Sequence, residues 1–183
     1  QSGEETEKQI KKRADRLGIK SENLHIIHTQ DIDVLLNEIE RIEPIFFISD
    51  SIQTIQDSDI EGDMQSVKQI RHCSSLIIQA SKVKGIPSFV VGHVNKNEDI
   101  AGPKQLEHMV DVVVRIDGDK TTDLRVLRTE KNRFGELDVC LLEMQRDGLS
   151  EIKNPSEYLI NKKGPHESGS VITPRRARTS SSQ

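Results

Sequence analysis

The chain has 183 residues, of which 33% are hydrophobic and 3% aromatic, and its formal net charge is −4. That length suits one domain with a real core, and no apolar run approaches the roughly 20 residues that a membrane helix needs. Two cysteines, Cys73 and Cys140, are too few for a disulfide framework or a cysteine-based zinc site, so we expect a reducing, intracellular compartment.

The first half of the chain alternates helices and strands. It opens with Gln-Ser-Gly-Glu-Glu, which lacks the apolar region of a signal peptide and resembles the interior of a longer protein. Apolar spacing predicts helices over 4–17, 31–42 and 64–84, and strands over 24–27, 44–50 and 87–94. Gly18 and Gly85 stand where helices usually end. The alternation predicts right-handed crossovers and a parallel sheet covered by helices on both faces.

The pattern changes after Pro103. A short helix through Leu106 and Met109 is followed by alternating runs over 110–116, 124–128 and 137–144. Asp-Gly in the predicted turn 117–120 is a strong hairpin signal. We therefore predict an α/β fold with a mixed sheet, in which the first strands are parallel and the last form an antiparallel extension.

The charge of the chain is unevenly distributed. Residues 162–183 carry five lysines and arginines against one glutamate, so the preceding residues hold an acidic excess. Ser, Gly, Pro and Thr dominate this end, a composition typical of disorder. We expect a folded domain over 1–161 and a disordered basic tail over 162–183, which either serves as a linker or contacts nucleic acid.

Asp50 is the first candidate for a functional residue. An apolar run ends abruptly at Asp50 and Ser51, which predicts a buried strand that delivers a carboxylate to the carboxyl edge of the sheet. An acidic group at that edge can hold Mg²⁺ as it bridges nucleotide phosphates. A helix cap or turn starter is an equally open interpretation, because Asp and Ser often satisfy loose backbone amides.

Two further groups could carry chemistry. Glu4 and Glu5 lie where a strand would enter the first helix; such carboxylates usually favour the helix dipole, but a glutamate there can also activate a water. Lys131 and Arg133 lie on a tight loop between two predicted antiparallel strands. They are either solvated hairpin cations or a charge clamp on a neighbouring subunit's phosphates.

Eight segments, in unbroken order over residues 1–160, resemble the RadA (Sms) family of bacterial DNA repair proteins. They are 2–5 (Ser-Gly-Glu-Glu), 13–18, 50–54 (Asp-Ser-Ile-Gln-Thr), 92–94, 100–103, 106–111, 131–135 (Lys-Asn-Arg-Phe-Gly) and 154–157 (Asn-Pro-Ser-Glu). The motif at 131–135 is a hallmark of that family. The resemblance implies a RecA-like ATPase core that drives branch migration on branched DNA during homologous recombination.

The resemblance also implies cofactors, partners and a location. ATP and Mg²⁺ would be the cofactors, and single-stranded and branched DNA the substrates. The family forms homo-oligomeric rings, which implies a hexamer, and works with a recombinase. Its members act in the bacterial cytoplasm, or in an organelle if the source is a plant, and no membrane is involved.

The same resemblance implies roles for residues at the strand ends. Asp50 matches the Walker B aspartate that orders Mg²⁺, and Ser51 beside it would also lie at the nucleotide. Glu4 is similar to the water-activating glutamate, with Glu5 as a stand-in. His93 occupies the place of a sensor of the terminal phosphate, although a hydrogen-bonded buried histidine is an equal alternative.

The cations receive roles by resemblance as well. Lys131 and Arg133 are similar to residues that couple ATP to DNA binding. The loops 56–63 and 95–102 resemble two DNA-facing loops of the core. Lys96 and Lys104 are then candidates for phosphate contacts, which would make DNA binding salt-dependent.

The chain departs from the family in what it lacks. No Gly-x-x-x-x-Gly-Lys-[Ser/Thr] occurs in the 183 residues, so the first P-loop strand and the phosphate cradle are missing and ATP affinity should be very poor. The family's four-cysteine zinc module and its domain resembling the Lon protease are also absent. We therefore expect a partial ATPase core that is inactive alone.

Two alternatives stay open. The first is a non-catalytic module, derived from the ATPase core, that binds DNA or another subunit. The second and weaker one is a receiver-like signalling domain with Asp50 as phospho-acceptor. The long antiparallel extension and the lack of a second acidic cluster beside Asp50 argue against the signalling domain.

Overall fold

The computed structural model describes residues 1–93, 106–118 and 122–161. Its helices are α1 (Glu7–Arg16), α2 (Ile32–Ile42), α3 (Val67–Lys84) and α4 (Pro155–Asn161). Its strands are β1 (Phe47–Ser49), β2 (Ser88–Val90), β3 (Val112–Gly118), β4 (Leu124–Asn132), β5 (Val139–Gln145) and β6 (Gly148–Glu151). The predicted loop 95–102, Lys96, Lys104 and the predicted tail 162–183 lie outside the described residues. Across the described ranges, no helix is both long and apolar enough to cross a membrane.

Local chemistry sets the limits of the longer helices. Asp31 accepts hydrogen bonds from the backbone N–H groups of Asp33 and Val34 at 2.8 and 3.2 Å, which caps the start of α2. Helix α3 ends at Gly85, whose φ of 66° lies in the left-handed region that glycine adopts readily. Both helices turn an apolar stripe toward the interior.

The parallel strands form the layer that carries the candidate site. Strand β1 pairs in parallel with β2. On the other side of β1, Ser2 forms parallel bridges with both Asp50 and His28. Four segments therefore run side by side in one direction. Their order is the segment at His28, the segment at Ser2, β1 and β2, and their carboxyl ends share one edge.

The hydrophobic core lies between these strands, α2, α3 and the 3-10 turn Ile52–Thr54 that follows β1. Phe47 and Ser49 of β1 are buried while Ile48 between them is exposed, as the alternation of a strand requires. The buried apolar side chains are Ile32, Leu35, Ile39, Phe47, Ile52, Ile55, Ile70, Cys73 and Ile77. This core fixes the turn that immediately follows Asp50.

The antiparallel strands form a second sheet in the order β3, β4, β5, β6. Strands β3 and β4 are long and contain a register shift between Val113 and Val114. Parallel strands followed by an antiparallel extension are therefore confirmed. Among the described residues they form two sheets, not the single continuous sheet that the sequence suggested.

Several local predictions were wrong. The segment 24–27 is irregular backbone instead of a strand, because its pairing is confined to its end, where Ser2 N–H donates to the Ile27 carbonyl at 3.0 Å. Residues 117 and 118 of the turn predicted over 117–120 still belong to strand β3, because Asp117 pairs with Val126 and Gly118 with Arg125; residues 119 and 120 lie outside the described residues. The sequence interpretation also missed β6, which begins at Gly148 with a φ of 127°, and helix α4.

Candidate functional site

Three predicted site residues meet where neighbouring segments of the parallel layer end. Glu4 follows the bridge at Ser2, Asp50 follows β1 and His93 follows β2. The Ser51 hydroxyl donates a hydrogen bond of 2.8 Å to Glu4 Oε1. His93 Nε2 lies 3.4 Å from the same oxygen, an ion pair when the imidazole is protonated. The structure thus brings Glu4, Ser51 and His93 into direct contact.

A glycine allows the first two segments to approach this closely. Gly3 N–H donates to the Asp50 carbonyl at 3.0 Å. A Cβ at Gly3 would lie 1.9 Å from Thr54 Oγ1 and 2.4 Å from Thr54 Cβ, so no other residue fits without displacing Thr54. The Thr54 hydroxyl itself donates to the Ser51 carbonyl at 2.8 Å. The turn after β1 is therefore packed directly on the backbone beside Glu4.

The site combines buried and accessible groups. Ser51 is fully buried, whereas the side chains of Glu4 and His93 are 49% and 61% exposed. Asp50 is half-buried, and no described residue forms a side-chain hydrogen bond or ion pair with its carboxylate. The edge thus offers one carboxylate held by a hydroxyl and a second, that of Asp50, which interacts electrostatically with the N-terminal ammonium of Gln1.

The donor set fits a magnesium ion that arrives with a ligand. Within 1–93, 106–118 and 122–161, no cluster of three or more His, Cys, Asp or Glu side chains could hold a metal. Mg²⁺ usually binds through one or two carboxylates, several waters and substrate phosphates. Asp50 can supply the carboxylate, but the 183 residues contain no lysine-bearing phosphate loop to hold the phosphates.

Comparison with known sequences identifies relatives of the chain, although no protein-family model matches it. The DNA repair protein RadA of Bacillus subtilis (strain 168) is 44% identical over 173 residues, which cover 94% of this chain and 38% of that protein. The DNA repair protein RadA of Listeria monocytogenes is 40% identical over 172 residues, with coverages of 93% and 38%. The chain is a homologue of the RadA DNA repair proteins. It spans 38% of the length of these relatives.

Solved structures show the fold to which this RadA homologue belongs. A solved ATPase domain superposes with a TM-score of 0.68 at 12% identity, covering 83% of this chain and 73% of that domain. A DnaB-like replicative helicase, studied with its interactions with primase, gives 0.63 at 13% identity, with coverages of 83% and 49%. The predicted RecA-like α/β fold is confirmed.

The two cations of the family motif lie elsewhere and are engaged. Lys131 Nζ donates to the backbone carbonyls of Glu107 and Val110 at 2.6 and 2.7 Å. Arg133 Nη1 donates to Asp111 Oδ1 at 2.7 Å. In the described part of this RadA homologue, no hydrogen bond or ion pair joins either cation to the strand-edge residues. Through these hydrogen bonds both cations hold residues 106–111 against the end of β4.

The sequence interpretation missed a polar network that anchors the predicted DNA-facing loop 56–63. Gln69 of α3 is buried, and its Nε2 donates to the carbonyls of Asp57 and Ile60 at 2.9 and 2.7 Å. His72 Nε2 lies 2.8 Å from Asp57 Oδ2. Hydrogen bonds from the Asp59 N–H and from His72 hold the pKa of Asp57 below its usual range. A glutamine beside Ile70 on the apolar stripe of α3 was the signal that could have revealed it.

Proposed function

We propose that residues 1–161 belong to the ATPase core of a DNA repair protein that uses ATP to drive branch migration during homologous recombination. The observation that carries the proposal is the meeting of Glu4, Asp50, Ser51 and His93 at one carboxyl edge of parallel strands. Open α/β sheets bind ligands at this edge. The relationship to RadA supports DNA repair as the setting.

Each side chain has a role within this proposal. Asp50 orders Mg²⁺, which when bound neutralises charge on the nucleotide phosphates, and Ser51 lies beside the same nucleotide. Glu4 holds a water and takes its proton. Because Ser51 and His93 both approach Oε1 of Glu4, the other carboxylate oxygen has no described partner and is available to that water. His93 senses the terminal phosphate from beside Glu4.

The proposed turnover needs a phosphate cradle. The 183 residues contain no Gly-x-x-x-x-Gly-Lys-[Ser/Thr], the motif whose backbone and lysine hold the β- and γ-phosphates. We infer that ATP turnover by these residues requires a phosphate-binding loop from outside them. The chain alone is then a partial core that does not hydrolyse ATP.

DNA binding is assigned to four cations. Lys96 and Lys104 are proposed to contact phosphates directly. Lys131 and Arg133 are proposed to couple DNA or a neighbouring subunit's nucleotide to the core. Because both already bond to the 106–111 segment, an incoming phosphate competes with the carbonyls and with Asp111 for them. Binding at this pair would therefore release or rearrange that segment.

The wider setting follows from the same relationship. We propose a homo-oligomeric ring, a hexamer by analogy, that acts with a recombinase on single-stranded and branched DNA in the bacterial cytoplasm. The folded domain over 1–161 and the basic tail over 162–183 are proposed on composition alone.

A second candidate is a non-catalytic module that binds DNA or another subunit. The missing phosphate cradle favours it, since the strand-edge residues that the structure describes, Glu4, Asp50, Ser51 and His93, include no lysine or arginine for a phosphate. It differs from the first proposal in one measurable respect. A non-catalytic module binds DNA equally well with and without Mg²⁺ and ATP.

Binding measurements on the 183-residue chain test the proposal. Fluorescence anisotropy of labelled single-stranded DNA should give an affinity that falls with salt and falls again in the Lys96→Ala/Lys104→Ala double variant. The matched control, Lys12→Ala/Lys20→Ala, removes two exposed lysines near α1 and should bind like the wild type. Equal weakening by both pairs would mean that the contacts are non-specific.

A nucleotide-binding measurement distinguishes the ATPase core from the non-catalytic module. An ATP analogue with Mg²⁺ is titrated into the wild type and into Asp50→Ala. Weak binding that Asp50→Ala abolishes supports the nucleotide site of the ATPase-core proposal, even though the chain alone is not expected to hydrolyse ATP. DNA binding without any nucleotide effect favours the non-catalytic module, and a chain that binds neither ligand contradicts both proposals.

A further inference from the structure

Gln53 reaches from the turn after β1 to the end of the next strand. Its Nε2 donates a hydrogen bond of 2.9 Å to the backbone carbonyl of His93, 40 residues later in the chain. A carbonyl oxygen only accepts hydrogen bonds, so the amide nitrogen must face His93 and the amide oxygen must point away. The bond therefore fixes the direction of the Gln53 amide.

The turn that carries Gln53 is held on its other sides as well. Ile52 is fully buried, and its N–H donates to the Val91 carbonyl at 2.9 Å. Thr54 is packed against Gly3 and bonded to Ser51, as described above. The turn is therefore held by β2 on one side and packed on the backbone of Gly3 on the other, and the Gln53 side chain extends from it to His93.

Stability alone does not explain a glutamine at this position. Gln53 Oε1 is buried and has no hydrogen-bond partner among the described residues. An unpaired buried acceptor costs free energy, and an apolar side chain of similar shape avoids that cost. What only the amide supplies is the N–H that holds the His93 carbonyl.

We propose that Gln53 is a positioning residue, which fixes the backbone at His93 so that the imidazole faces the carboxylate of Glu4. It acts through His93, whose backbone carbonyl accepts its hydrogen bond. The inference rests on the proposed function, since it gives Gln53 a purpose only if His93 and Glu4 act together at the nucleotide edge. In this proposal Gln53, on the turn after β1, maintains the distance of 3.4 Å between His93 Nε2 and Glu4 Oε1.

Nuclear magnetic resonance of the 183-residue chain tests the proposal through His93 itself. In Gln53→Met, which keeps the shape and removes the donor, the ¹³C resonance of the His93 carbonyl should move as its hydrogen bond is lost. The change in His93 ring shifts that Glu4→Gln causes in the wild type should fall at least twofold in the Gln53→Met background. The control Gln79→Met replaces an exposed glutamine of α3 and should leave both signals unchanged.

A second variant and a stability measurement keep the test decisive. Gln53→Glu retains length and polarity but has no donor at neutral pH, so it should reproduce the loss seen in Gln53→Met. The urea midpoint of Gln53→Met should stay close to that of the wild type, because removal of the unpaired oxygen offsets the lost hydrogen bond to the His93 carbonyl. Unchanged His93 signals in both variants would overturn the proposal, and so would a lower urea midpoint together with shifts spread over the whole spectrum.

These readouts need neither nucleotide nor DNA, so they separate the two claims. If the wild type binds no ligand, the proposed function fails while the His93 signals still decide the role of Gln53. If ligands bind but His93 ignores the Gln53 variants, only the positioning role fails.

Discussion

The buried hydroxyl of Ser51 donates a 2.8 Å hydrogen bond to Glu4 Oε1, although the two residues are 47 positions apart in the chain. The bond joins the segment before α1 to the turn after β1. Ser51→Ala should therefore lower the free energy of unfolding by about 1 kcal/mol, since one hydrogen bond is lost without creating a large cavity. Urea unfolding measures this, and Ser75→Ala, at an exposed position of α3, should be nearly neutral. Equal effects of the two substitutions would show that the Glu4 bond contributes nothing.

Gly3→Ala should be far more costly than a glycine substitution at the neighbouring strand end. Its Cβ would lie 1.9 Å from Thr54 Oγ1, and such overpacking costs about 2 to 3 kcal/mol. Gly92→Ala is the matched control, because the nearest atoms to its Cβ are 3.9 Å away. The melting temperature of each variant checks the difference. Adding Thr54→Gly to Gly3→Ala removes the clashing atoms, so a failure to recover stability would contradict the packing argument.

Asp57→Asn should flatten the loss of stability in acid. Hydrogen bonds from the Asp59 N–H and His72 lower the pKa of Asp57 in the folded protein. A lowered folded pKa means that the stabilisation is complete above the ordinary value of about 4 and is lost as the pH falls through the folded value. Urea midpoints between neutral pH and acid should therefore fall less in Asp57→Asn than in the wild type. Asp59→Asn leaves its N–H in place and should keep the wild-type profile; a flattened profile there too would contradict the assignment to Asp57.

Lys131→Met should loosen the segment that precedes β3. The ammonium group donates to the carbonyls of Glu107 and Val110, so its removal leaves both without that donor. We expect faster hydrogen exchange at the amides of Met109 and Val110, and an unfolding free energy lower by about 1.5 kcal/mol. Lys153→Met, at an exposed position, is the control. Weaker DNA binding with unchanged exchange at these amides would instead make phosphate contact the main role of Lys131.

The spacing and type of residues along the sequence predicted those helices and strands that short-range interactions determine. The strand ending at Asp50, the apolar stripes of α2 and α3 and the glycine that ends α3 were all readable from spacing and residue type. The same rule could have found β6, because Asp147-Gly148 is the hairpin signal that was applied at 117–118. At 117–118 that signal misplaced the turn, since the ladder continues through Gly118.

Contacts between distant segments were not readable. The sequence shows two cations at Lys131 and Arg133, but their carbonyl and carboxylate partners come from a segment more than 20 residues earlier. The bond from Gln53 to His93 spans 40 residues and depends on the order of strands in space. Such partners follow from tertiary packing, which leaves no periodic trace in a single sequence.

The most direct test of the central claim is where a metal–nucleotide complex binds on the chain. Mn²⁺ takes the oxygen ligands that Mg²⁺ prefers and broadens nearby nuclear magnetic resonances, so it locates even weak binding. With ATP and Mn²⁺ in excess, we expect broadening of the amide signals of Glu4, Asp50, Ser51 and His93, and we expect Asp50→Asn to abolish it. Broadening that spreads over acidic residues such as Glu157 and persists in Asp50→Asn would contradict a nucleotide site at this edge.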